Sequence, residues 1–85
     1  MRRNNLDIFS DILTIASNGA KKTQIVYKCN LNFKILAKYL LILSEKKLIE
    51  KQGKLYYTTP LGNEFVSKYR KLINPLNDVL ETVSY

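Results

Sequence analysis

The stretch NLNFKILAKYLLILSEKKLIEKQGKLYYTT, residues 30–59, decides the fold. Asn32 can cap a helix that starts at Phe33, because its side-chain oxygen can accept an otherwise orphaned backbone N–H. Leu36, Leu40 and Leu43 follow at helical spacing and form one apolar stripe, so a helix is expected from Phe33 to about Lys46. Lys34 and Lys38, four apart, share a different face of that helix. The pattern then changes period. LIEK (48–51) and LYYTT (55–59) have strand character and are joined by Gln52, Gly53 and Lys54, with Gly53 supplying the turn. The expectation is an amphipathic helix followed by a small β-hairpin with lysines at its tip.

Working outward, Leu6, Phe9, Ile12, Leu13 and Ala16 fall on one face of a first helix. Asn4 or Asn5 can cap its start. SNG (17–19) ends it, with Gly19 suited to a left-handed position past the last turn. KKTQIVYKCN (21–30) reads as a short second helix, with Ile25, Val26 and Cys29 facing inward and Asn30 as its stop. After the hairpin, Thr59 caps and Pro60 opens a last helix, since the missing N–H of proline costs nothing at the first helical position. Pro75 is expected to kink or interrupt that helix, and residues 75–85 can resume it. Phe65, Tyr69, Leu72, Leu76, Val79 and Val83 keep a heptad spacing along it, the pattern of a coiled-coil seam. The alternative is a helix that folds back at Pro75 and covers the first helix.

The chain has 85 residues, enough for one small domain with a thin stability margin. The longest unbroken apolar run, Tyr39 to Leu43, is too short to span a bilayer, so no membrane partner is expected. MRRNNLDIF lacks the apolar core of a signal peptide. Cys29 is the single cysteine, which excludes an internal disulfide and makes the cytoplasm the expected compartment. There is no histidine, no cysteine pair and no Gly-rich phosphate loop. No metal, no cofactor and no catalytic residues are therefore expected, and the chain reads as a non-enzyme. Glu45 and Glu50 sit among lysines, where surface ion pairing would account for them.

Net charge is +7, and its placement matters more than its size. Residues 1–20 and residues 55–85 each balance to zero. The whole excess lies in residues 21–54, on Lys21, Lys22, Lys28, Lys34, Lys38, Lys46, Lys47, Lys51 and Lys54 against Glu45 and Glu50. A local positive field of this kind attracts a polyanion.

Three helices followed by a two-stranded hairpin is the winged helix-turn-helix order, a mainly α fold with a small β-hairpin, here followed by a long C-terminal dimerisation helix. Residues 1–59 would form the DNA-binding domain and residues 60–85 the dimerisation helix. The third helix would be the recognition helix and the hairpin the wing. Lys34 and Lys38 on the helix, and Lys51, Gln52 and Lys54 on the wing, are candidate contacts to double-stranded DNA. Lys21, Lys22 and Thr23 stand where the free amides of the second helix could meet a phosphate, although Thr23 can equally be a capping residue. Asn32 reads first as a cap and second as a base contact. Phe33 can meet a sugar or a thymine methyl, or simply pack. Arg2 and Arg3 read as a frayed terminus before a minor-groove arm. Tyr27, Tyr39, Tyr56 and Tyr57 are expected at the core or its edge.

The stretch from Gly19 to Val66 resembles the archaeal winged-helix regulator family, and within it the small basic chromatin proteins of about ten kilodaltons. The residues that carry the resemblance are Lys22-Thr23, Tyr27, Asn30-Leu31, Phe33, Tyr39-Leu40, Leu48-Ile49, and Thr59 with Gly62. The resemblance implies DNA binding, nucleoid association and a homodimer joined through the C-terminal helix. Lys47 departs from the family's usual Gly, so it must either take up an uncommon backbone conformation or alter the turn. The competing reading is a winged-helix adaptor for other proteins that does not touch DNA. Leu41 and Ile42 favour it, because the core stripe leaves them partly exposed, unless they pack against the first or last helix.

Overall fold

The structure, a computed structural model, describes residues 4–83, with side chains for residues 4–73. Its elements in chain order are α1 (Asn5–Ile15), a 3-10 turn (Ala16–Asn18), β1 (Ala20–Lys21), α2 (Lys22–Cys29), α3 (Phe33–Glu45), β2 (Ile49–Gln52), β3 (Leu55–Thr58) and α4 (Pro60–Val83). The local signals act where the sequence places them. Asn4 Oδ1 accepts the Asp7 N–H at 2.8 Å while Asp7 Oδ2 accepts the Asn4 N–H at 3.3 Å, a reciprocal capping box. Asn32 Oδ1 accepts the Ile35 N–H at 2.7 Å and caps α3. Thr59 Oγ1 accepts the Gly62 N–H at 3.1 Å and caps α4.

The helical stripes converge on one core of Ile12, Leu13, Ala16, Ile25, Cys29, Leu36, Leu40 and Leu43, closed by Ile49 and Val66. Each fully buried leucine or isoleucine contributes roughly 1.5–3 kcal/mol relative to exposure. Val66 comes from α4, so the early turns of that helix complete the core. Thr58 is a buried polar exception, and its hydroxyl donates to the Leu13 carbonyl at 2.6 Å. Leu6 does not reach this core. It lies in the first turn of α1 and stays exposed.

The hairpin belongs to a three-stranded antiparallel sheet ordered β1-β3-β2. β1 pairs Ala20 with Tyr56 and Lys21 with Leu55. Nothing local announces a strand of two residues; it exists because the chain between α1 and α2 runs beside β3. Lys21 therefore ends a strand, and α2 starts one residue later than its sequence suggests. β2 and β3 are joined by Gly53 and Lys54, and only Gly53 has positive φ, +63°. That is the pattern of a type II′ turn, whose twist suits a hairpin.

Lys47 resolves its two alternatives in favour of the uncommon backbone, with φ +61°. Its N–H bonds the Ser44 carbonyl and the Leu48 N–H bonds the Leu43 carbonyl, the Schellman pattern that ends a helix. Gly19 has φ +93° but an extended ψ of 128°, so it is not in the left-handed helical region. The Tyr57 ring occupies the space beside it, and a Cβ at Gly19 would lie 2.7 Å from that ring.

α4 packs along α1. The Tyr69 hydroxyl donates to Asp7 Oδ1, and Arg70 Nη2 donates to Thr14 Oγ1 at 3.2 Å. Helical backbone continues through Pro75, which does not interrupt it. Leu76, Val79 and Val83 of the expected seam lie outside the residues whose side chains are described, and Arg2 and Arg3 lie outside the described residues. The hydrogen bond to Asp7, helped by desolvation and the negative charges of Asp7 and Asp11, pushes the Tyr69 phenol up to about 12.

Lys47→Gly should raise stability by about 1 kcal/mol by relieving the left-handed penalty. Gly62→Ala should lower it, because the new Cβ would collide with the Leu48 carbonyl oxygen. Thermal melts of both variants read these opposite signs. The Tyr69 pKa is raised on folding, so its contribution is complete below the ordinary tyrosine pKa of about 10. That contribution falls as pH rises through about 12. An alkaline stability profile of Tyr69→Phe should lack that step.

Candidate nucleic-acid interface

α2 ends on Asn30, whose backbone is left-handed (φ 56°, ψ 47°). The Asn30 N–H reaches the Tyr27 carbonyl at 3.3 Å and the Leu31 N–H the Val26 carbonyl at 3.0 Å. Asn tolerates this conformation better than most residues. Asn32 then caps α3 immediately, so three residues separate the helices, as in a helix-turn-helix.

On α3 the buried side chains are Leu36, Leu40 and Leu43. Lys34 and Lys38 lie away from that stripe, and both are exposed. Phe33, at the first position of the helix, is 52% exposed. At the start of α2, Lys21, Lys22 and Thr23 are exposed, and no side chain caps the helix. Gln24 Oε1 instead accepts the Lys21 N–H at 2.8 Å. Thr23 is thus inside the helix rather than its cap. On the wing, Lys51, Gln52 and Lys54 are exposed. Lys51 Nζ lies 5.8 Å from the centre of the Tyr56 ring, its cross-strand partner, and Gln52 Nε2 donates to Glu50 Oε1 at 2.9 Å.

The expected ion pairing of Glu45 and Glu50 does not occur. Among the described residues neither carboxylate pairs with a lysine, and the ion pair formed there is Lys68 with Glu64 on α4. The lysines of residues 21–54 are therefore left with their charge turned to solvent. A basic surface on α3, α2 and the wing can neutralise phosphates with little demand on sequence.

A profile of the winged helix-turn-helix family matches residues 2–77. The chain belongs to that family. This winged helix-turn-helix chain has no match among curated proteins. Among solved structures it is similar to Sso10a-2, a DNA-binding protein from Sulfolobus solfataricus, at 23% identity. The TM-score is 0.71, over 96% of this chain and 94% of that one. At that identity the likeness shows the fold. The family match and the shared fold bear out the winged-helix resemblance.

Sequence reasoning misplaced one aromatic side chain. Tyr27, expected at the core edge, is 87% exposed. Ile25 and Cys29 define the inner face of α2, and Tyr27 lies midway between them in sequence, on the outer side; that spacing alone could have shown it. Of the two alternatives for Leu41 and Ile42, exposure holds, at 61% and 42%. Ile42 lines an open groove of about 400 Å³ with Asn5, Phe9, Ile35, Lys38 and Tyr39.

Removing Lys34 and Lys38 together should weaken binding to every duplex. The slope of log affinity against log salt should shrink by about 0.9 for each phosphate that is no longer neutralised. Fluorescence anisotropy across a salt series reads both effects, and unchanged binding would exclude α3 as the DNA-facing helix.

Proposed function

We propose that the chain is a non-enzymatic, dimeric DNA-binding protein of the chromatin-architectural or transcription-regulating kind. The observation that carries this reading is the set of lysines, without a carboxylate partner among the described residues, on three elements of a winged helix-turn-helix. In this reading Lys34, Lys38, Phe33 and Asn32 of α3 face the major groove. Lys21, Lys22 and Thr23 meet a phosphate at the α2 N-terminus, where free amides and the helix dipole favour an anion. Lys51, Gln52 and Lys54 extend the contact from the wing, and the protein resides on the nucleoid. Binding by the purified protein to a random duplex and to its own upstream region separates the two roles. Equal affinity with equal salt slopes marks an architectural protein; tighter binding upstream marks a regulator.

Residues 60–85 serve in this proposal as the dimerisation helix, with the first turns also completing the core through Val66. Leu61 and Leu72 are exposed on α4, Leu72 at 69%. Phe65 and Tyr69 stack between them with parallel rings 6.2 Å apart. A partner helix along this stripe would bury it and hold two recognition helices on one DNA. Each subunit alone would bind weakly, and the tether would raise the effective concentration of the second.

A second reading, the protein-interaction adaptor, is favoured by the groove beside Ile35 and Ile42. It predicts no salt-dependent duplex binding at all.

Sedimentation at micromolar concentration should give the mass of a dimer. Leu72→Glu with Leu76→Glu should convert it to monomer and lower duplex affinity without touching a lysine. A wild-type monomer would overturn the dimer.

A further inference from the structure

The described aromatic side chains fall into two groups. Tyr39 donates to Asn5 Oδ1 at 2.8 Å and meets the Phe9 ring edge-on at 4.9 Å. Tyr69 donates to Asp7 and stacks on Phe65. Tyr57 covers Gly19, and Tyr56 packs against the core beneath Lys51. Tyr27 and Phe33 have no such role. Among the described residues they form no hydrogen bond through the side chain, no ring contact and no cation contact. They are also the most exposed of the described aromatic rings. They bracket the three-residue turn between α2 and α3, Tyr27 in the last turn of α2 and Phe33 at the first position of α3. Each is followed directly by an exposed lysine, Lys28 and Lys34.

Two exposed rings stand at the two ends of a tight turn, each next in sequence to an exposed lysine. Bases stack on aromatic faces irrespective of identity, and neighbouring cations hold the backbone; this is how proteins bind single strands without sequence preference. In an intact duplex the base faces are covered by their neighbours and cannot reach such rings. Asn32 spends its Oδ1 on the α3 cap, which leaves its Nδ2 hydrogens available to a base edge.

We propose that the helix-turn-helix corner binds unpaired nucleobases by stacking on Tyr27 and Phe33, with Lys28 and Lys34 on the flanking phosphates. This rests on the nucleic-acid reading of the basic surface and adds single strands, or locally melted duplex, to its ligands. DNA and RNA strands present the same base faces, so both belong to the class.

The test uses the full chain and fluorescence anisotropy with labelled oligothymidylate, oligouridylate and a random duplex. The ring-removing variants are Tyr27→Ala and Phe33→Ala; Tyr27→Phe and Phe33→Tyr keep the ring. Each ring removed should weaken single-strand binding about 5- to 100-fold, the range of one base stack. The ring-keeping variants should bind single strands like wild type, and Tyr27→Ala, which removes no residue of the duplex surface, should leave duplex affinity little changed. Whether the thymidylate or the uridylate binds more tightly identifies the strand as DNA or RNA. Tyr27 is so exposed that its removal leaves the core intact, and an unchanged melting temperature checks this. If single strands bind poorly, or bind equally well without the rings, while the duplex still depends on Lys34 and Lys38, the proposal falls and the duplex reading stands. If neither form binds, both fall.

Discussion

Thr59 ties the molecule together. Its hydroxyl donates to the Lys47 carbonyl at 2.8 Å and accepts the Gly62 N–H, while its own N–H donates to the Leu48 carbonyl at 3.0 Å. The residue that ends the wing is thereby bonded to the residues that begin it. The wing leaves α3 and returns to the same point, and α4 starts there. Gly62 permits the closeness, because its missing Cβ is the space the Leu48 carbonyl occupies. The strained backbone at Lys47 belongs to the same knot, since it turns the chain out of α3 toward β2. With the wing closed in this way, Val66 reaches the core and Tyr69 and Arg70 reach α1.

This closure separates the chain's charge from its packing. The core draws on every element from α1 to the early turns of α4, with α3 facing it along one stripe. The charges of residues 21–54 are carried on the outward faces of α2, α3 and the wing, where no carboxylate among the described residues neutralises them by pairing. Burying unpaired lysines would cost far more than leaving them in water, so a basic surface is the stable arrangement whether or not a polyanion is present. What a polyanion adds is the release of its own counterions. The same α3 presents apolar side chains at Ile35, Leu41 and Ile42 alongside its lysines, so its outer surface is not uniform.

The helices, their caps and the inner face of α3 were legible in the sequence, because those signals are local. A capping side chain acts three residues away, and a helical stripe repeats every three or four. The uneven charge and the wing turn at Gly53 were equally legible, since each depends on residue type and near neighbours, and the family resemblance posed the question at Lys47. Tertiary structure decided the rest. β1 is a strand only because Leu55 and Tyr56 lie beside it. Gly19 keeps an extended ψ beside the Tyr57 ring. Val66 is core, while Leu6, with the same chemistry, is not. Glu45 and Glu50 stay apart from lysines that are their neighbours in sequence. Each of these depends on contacts between residues far apart in the chain, or on side-chain directions that proximity in sequence does not set, and a periodicity carries information about neither.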